Sequence, residues 1–365
     1  MKDLSCGIVG LPNVGKSTLF NALLKKIKAT ASNFPFCTIE PNIGIVNLPD
    51  DRLSVLSTIS KSKKIIPATV TFVDIAGLVK GAASGQGLGN KFLSNIRQTD
   101  VILHVVRCFE DDNITHVEGT IDPINDIEVI ELELILADLQ MVENSLIKLQ
   151  KKARMQRDLD PMIAALKKAE AHLSDNKKVI NLELTKEEQE LIKPYHFITN
   201  KKTLYVANVA EDEVANPTSD MFKKVVDYAE KCGSKVLPIC AKLEEELAAL
   251  SEDEVAEFLT SMDIEQTGLS NLISTSFFTL GLVTFFTTGE METRAWTIQK
   301  GMRAPQAAGR IHSDIEKGFI RAEVVHYNAL KECGNKARAK EQGRLQMEGK
   351  DYVVADGDVV LFHHS

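Results

Sequence analysis

Through most of this chain, short apolar runs alternate with stretches in which apolar side chains return at three- or four-residue steps. Cys6–Val9 is apolar and ends in a glycine turn, after which Leu19, Leu23 and Ile27 keep a helical spacing. That order is strand, loop, helix. Further strands are predicted at Val70–Asp74, Val101–Arg107, Thr203–Asn208 and Val236–Cys240. Strands that alternate with helices form a parallel sheet with helices on both faces, an α/β architecture.

The pattern changes between the third and fourth of these strands. Val129, Leu132, Leu136, Leu139, Val142, Leu146 and Leu149 recur at helical steps, and Met162, Leu166, Ala169 and Leu173 repeat the spacing after Pro161. Two antiparallel helices with coiled-coil-like packing are predicted, and the stripe itself implies packing rather than chemistry. Thr185 with Glu188 forms a capping box that opens a short helix, which Pro194 stops, and Ser251 with Glu254 forms another. After about Phe277 glycine turns and short strands take over, at Arg294–Ile298, Arg321–Val325, Tyr352–Val354 and Val359–Phe362. Glu348-Gly349 and Asp356-Gly357 mark tight turns there. The expected organisation is a sheet domain (residues 1–128 and 198–276), a helical insertion (129–197) and a small separate β-rich domain (277–365).

Composition narrows the class. The chain has 365 residues, of which 44% are hydrophobic and 26% charged, the balance of a folded multidomain protein. A net charge of −8 argues against a protein that coats nucleic acid by bulk charge, while leaving room for a local basic face. The six cysteines form no C-x-x-C pair, so no zinc framework is visible, and reduced thiols fit a cytoplasmic location. Met1–Gly10 has no apolar signal-peptide core, and the apolar stretch Phe277–Phe286 is too short to span a membrane. It reads as a buried core element.

The chemistry concentrates at the ends of the predicted strands. Gly10-Leu-Pro-Asn-Val-Gly-Lys-Ser-Thr18 matches G-x-x-x-x-G-K-[ST]. Its glycines let backbone N–H groups of Asn13, Val14, Gly15 and the residues after them face phosphate oxygens at a helix N-terminus. Lys16 is expected on the β- and γ-phosphates and the Ser17 hydroxyl on Mg²⁺, with Thr18 beside it. Asp74-Ile-Ala-Gly77 follows an apolar strand. Asp74 there holds Mg²⁺ through water, and the Gly77 N–H meets the γ-phosphate. Thr38 stands between the first helix and the next predicted strand, where a switch threonine completes the Mg²⁺ shell; by composition alone it is an ordinary loop hydroxyl. Asn208-Val-Ala-Glu211 ends the fourth strand, where guanine-specific proteins carry N-K-x-D. Val209 and Glu211 in place of lysine and aspartate weaken guanine recognition. Cys240-Ala-Lys242 ends the fifth strand, where Ala241 and Lys242 belong to an expected base-lining loop.

These strings resemble the YchF-type Obg-like ATPases. The resemblance rests on GLPNVGKST at Gly10–Thr18, NFPFCTIEPN at Asn33–Asn42 and DIAGLVKGA at Asp74–Ala82. It extends to HVVRCFE at His104–Glu110, RAWTI at Arg294–Ile298, APQAAGRIH at Ala304–His312 and EKGFIRAE at Glu316–Glu323. It implies a P-loop NTPase domain, a coiled-coil insertion and a C-terminal TGS domain. It further implies ATP as substrate, preferred to GTP or accepted alongside it, and association with ribosomes. Basic runs at Lys148, Lys151, Lys152, Arg154 and Arg157 and at Lys331, Lys336, Arg338, Lys340 and Arg344 are solvated faces by composition alone; together with the resemblance they extend the expectation to ribosomal RNA, and no membrane partner is expected. Leu78 occupies the place of a water-orienting glutamine and cannot hydrogen-bond water. The resemblance puts His116 in that catalytic role, although a loop histidine alone reads as a surface residue. It also places Asn13 at the position that coordinates K⁺ in K⁺-stimulated relatives. Two functions remain open at this point: an ATP-driven switch enzyme, or a nucleotide-gated binding module whose hydrolysis is slow and incidental. A metabolic kinase fits poorly, because no pocket for a small acceptor is apparent after the P-loop.

Overall fold

The computed structural model describes residues 4–31, 43–75, 88–111, 121–153 and 156–365. Its first sheet contains β1 (Ser5–Val9), β2 (Ile43–Asn47), β4 (Thr69–Asp74), β5 (Val101–Cys108), β6 (Lys202–Val209) and β7 (Lys235–Ile239), and its second begins with β3 (Ile65–Ile66). The strand order of the first is β2-β4-β1-β5-β6-β7. Every pair is parallel except β2 with β4, so the predicted parallel sheet carries one antiparallel edge strand. β1 and β5 are buried along their whole length, as strands covered on both faces must be. β1 lies between β4 and β5, so the chain winds out from it in both directions. In open α/β sheets that switch point, at the carboxyl ends of the strands, is where ligands bind.

The insertion follows β5. Helix Pro123–Ala153 turns back into helix Asp160–Ser174, and Ile135, Val142 and Leu146 of the first pack with Leu166, Ala169 and Leu173 of the second. The predicted stripe is partly out of phase. Leu132 and Leu136 are 43% and 40% exposed, while Ile130, Leu134 and Ala137 are buried. The long helix has two partners in turn. Ile130, Leu134 and Ala137 join the sheet core, whereas Val142 and Leu146 join the second helix, so the buried face rotates along it. The Asp138 carboxylate, fully buried, ties the helix to the sheet domain. It accepts from Arg97 at 2.8 Å, from the Ile198 and Thr199 amides and from the Thr199 hydroxyl. Both expected capping boxes form, at Thr185–Glu188 and Ser251–Glu254.

The remaining strands are β8 (Leu282–Thr288), β9 (Thr293–Gln299), β10 (Phe319–His326), β11 (Gln346–Glu348) and β12 (Asp358–His364). They form a second sheet in the order β11-β10-β12-β8-β9-β3. The expected strand at Tyr352–Val354 is only a single bridge between Val353 and Arg303. Phe277–Phe286 is two elements: helix Gly268–Thr279 ends, Gly281 turns at φ 71°, and β8 begins. The region also holds helices Ala304–Ile311, Ser313–Lys317, Tyr327–Cys333 and Lys336–Glu341, too short to show a period in sequence. Nor is the region separate in its packing. β3 pairs in parallel with β9, and one core runs from Cys6 to Val359. Arg52 bonds both Asp50 and Asp356 at 2.7 Å and lies over the Phe286 ring. Among the described residues no helix is long and apolar enough to cross a membrane.

Candidate functional site

Gly10 to Gly15 connect β1 to helix Lys16–Ala31 in a conformation that only certain residues tolerate. Gly10, Asn13 and Gly15 have φ of 152°, 63° and 100°. A Cβ on Gly10 would lie 2.4 Å from the Val105 carbonyl, and one on Gly15 would lie 2.3 Å from Asn208 Nδ2. Both glycines therefore also satisfy close approaches to β5 and β6. The Asn208 side chain, buried near the end of β6, holds two elements at once: the P-loop and helix Ala241–Leu247, which begins in place of the expected base-lining loop. Its Nδ2 donates to the Val14 carbonyl and its Oδ1 accepts from the Ala241 amide, both at 2.9 Å.

A cavity of about 530 Å³ opens at this end of the sheet. Asn13, Gly15, Lys16, Ser17 and Thr18 form one wall; Asn208, Val209, Glu211, Ala241 and Lys242 form another. The volume lies within the range of small-ligand sites, about 300–1,000 Å³. Val14 is not on the wall: its side chain is buried, and only its backbone faces Asn208. Ala210 and Cys240 line it too, as do Phe109 and Asp111, just beyond β5. Sequence reasoning missed the latter pair, although an aromatic directly after the carboxyl end of a central strand was a usable signal. Gly77, Thr38 and His116 lie outside the described residues, as does Leu78.

Charge in the site is held out of water. Lys16 is nearly buried, and its ammonium donates to the Leu11 carbonyl at 2.5 Å. Burial lowers its pKa to about 8, against the opposing pull of Asp74. Asp74, at the end of β4 beside Ile8, is shifted the other way: burial raises it and Lys16 lowers it. Its Oδ1 is buried and has no hydrogen-bond partner among the described residues. Such an orphaned oxygen is costly unless a donor or cation arrives. A carboxylate and the Ser17 hydroxyl form a hard oxygen donor set that suits Mg²⁺ completed by phosphate and water. Among the described residues no three His, Cys, Asp or Glu side chains cluster to hold a metal by themselves, and an ion that enters with a triphosphate needs no such cage.

The Lys16 shift has a measurable consequence. The free protein loses the Lys16 proton above about pH 8, and a bound polyphosphate favours its return. Binding above that pH takes up a proton, so affinity falls by up to about tenfold per pH unit. Calorimetry in buffers of different ionisation enthalpy checks this. Affinity that is flat from neutral to alkaline pH, without proton uptake, contradicts it.

A P-loop, an acid on the adjacent strand and a cavity at the switch point of a parallel sheet define the P-loop nucleotide triphosphatase fold. Comparison with known proteins narrows this further. A family profile described as 50S ribosome-binding GTPase matches residues 5–144, and the profile YchF-GTPase_C, described as a protein of unknown function (DUF933), matches residues 282–365. The protein named Ribosome-binding ATPase YchF of Bacillus subtilis is 52% identical over 362 residues, covering 98% of each chain. Its namesake in Pasteurella multocida is 50% identical over 358 residues, again covering 98% of each. The structure of the Schizosaccharomyces pombe YchF GTPase superposes with a TM-score of 0.89 at 36% identity, covering 100% of this chain and 98% of that one. The chain belongs to the YchF family.

Proposed function

We propose that this protein is a ribosome-associated, cytoplasmic ATPase that hydrolyses the β–γ phosphoanhydride bond of Mg-ATP and changes its contacts as it does so. The observation that carries the reading is the cavity in which Asn208 joins the P-loop to Ala241. Lys16 balances phosphate charge, backbone amides of Asn13 to Thr18 cradle the phosphates, and Val209, Glu211 and Lys242 line the opposite wall. Ser17, Thr38 and Asp74 would hold Mg²⁺, which spreads phosphate charge as the bond breaks. The Gly77 amide would serve the γ-phosphate, and Asn13 would hold a K⁺ ion that adds positive charge there. The wall at Val209 and Glu211 lacks the guanine-reading lysine and aspartate, which supports ATP over GTP. His116 orients the attacking water, a role Leu78 cannot fill. His116→Ala should lower turnover with nucleotide affinity nearly unchanged. Equal turnover in the variant removes His116 from the mechanism.

Association with the ribosome is supported by the names of the relatives and by two exposed basic clusters. Lys148, Lys151 and Lys152 are exposed at the end of the long insertion helix. Arg157 follows the turn, with Arg154 outside the described residues. In the second cluster Lys331, Arg338 and Lys340 are exposed. Two residues expected with them are committed internally: Lys336 is partly buried against the Thr288 carbonyl, and Arg344 pairs with Glu332. Cations that track ribosomal RNA phosphates give binding that weakens steeply with salt. Charge reversal at Lys151, Lys152 and Arg154 should reduce co-sedimentation with ribosomes and leave the ATPase activity of the free protein intact. Co-sedimentation indifferent to both salt and reversal contradicts this docking.

A further inference from the structure

Among the described residues Arg107 is the largest fully buried side chain, at 1% exposure, and no step above uses it. It stands near the carboxyl end of β5, paired in the ladder with Asn208 of β6. Its guanidinium serves the next turn of the chain. Nε donates to the Phe109 carbonyl at 3.1 Å and an Nη donates to the Asp111 carbonyl at 3.2 Å. The same group lies over the Phe109 ring, 4.8 Å from its centroid. Among the described residues, Phe109 and Asp111 are the two that line the cavity without coming from the P-loop or from the segments that follow β6 and β7.

We propose that Arg107 is a positioning residue that fixes the Phe109–Asp111 turn, so that the Phe109 ring forms a rigid wall for the nucleoside part of the ligand. The proposal rests on the reading of this cavity as the ATP site. A planar guanidinium can bond two carbonyls and stack on a ring at once. A lysine ammonium has the charge without the fork or the flat face. The turn would otherwise have to hold a half-buried aromatic by itself.

The test compares Mg-ATP with Mg-tripolyphosphate, which has the phosphates and no nucleoside, by calorimetry on the wild type, Arg107→Lys, Phe109→Leu and the double variant. Each single variant should weaken ATP about tenfold, the scale of one lost aromatic–base contact, and leave tripolyphosphate within about twofold. The double variant should be little worse than either alone, because both remove the same wall. Should Arg107→Lys not fold, Arg107→Met fills the volume without a buried charge and carries the same expectation. Equal losses for both ligands, unchanged ATP affinity, or losses that multiply in the double variant overturn the proposal. Failure of the wild type to bind either ligand, or undiminished binding of both by Lys16→Ala, would instead remove the ATP-site reading itself.

Discussion

Lys16→Ala should bind Mg-ATP too weakly for turnover, and any residual hydrolysis at saturation should fall by about 10²–10³-fold. The expectation comes from where the ammonium is held. It is buried at the start of the helix that opens the cavity and already bonds a P-loop carbonyl. Among the described residues no other lysine lines that wall; Lys242 belongs to the opposite one. Alanine leaves the phosphates facing backbone amides alone, with Asp74 nearby and unopposed. The fold should persist, because removing a buried cation relieves a desolvation cost. Thermal unfolding and phosphate release, measured together, separate the two effects. Undiminished ATPase activity in the folded variant removes the site.

Asn208→Ala should cost both stability and affinity. It strands the Val14 carbonyl and the Ala241 amide in a buried place, at about 1–3 kcal/mol for each unpaired group. A total of about 2–6 kcal/mol is a large part of the 5–15 kcal/mol typical of a folded domain. The urea midpoint should drop with an unchanged slope. Nucleotide affinity should fall as well, because the P-loop and the start of helix Ala241–Leu247 are then no longer registered to each other. Loss of stability with full affinity would show that the bridge is only structural.

Much of this site is readable without coordinates, for a physical reason. A phosphate cradle needs glycines at fixed offsets between a strand and a helix, and Gly10, Gly15, Lys16 and Ser17 declare it. Asn208 and Lys242 were placed there because one stands near the end of a strand with an obvious apolar run and the other just after such a strand. Phe109 was missed because its role depends on Arg107, whose buried charge breaks the apolar pattern of β5 at its end. β2 escaped because Gly44 interrupts it, and β3 because two residues carry no period. That short strand matters, since it joins a sheet expected to stand apart. The insertion stripe was phased as if the helix had one partner. Leu132 and Leu136 are exposed because it has two, one after the other.

The most direct measurement is phosphate release by the purified protein from ATP and from GTP, each titrated to saturation with Mg²⁺ present. The account predicts hydrolysis of ATP with a kcat/KM at least equal to that for GTP. GTP favoured by about a hundredfold, the discrimination that a matched buried hydrogen-bonding pair can give, would contradict it. So would an absence of turnover of either nucleotide, with or without ribosomes.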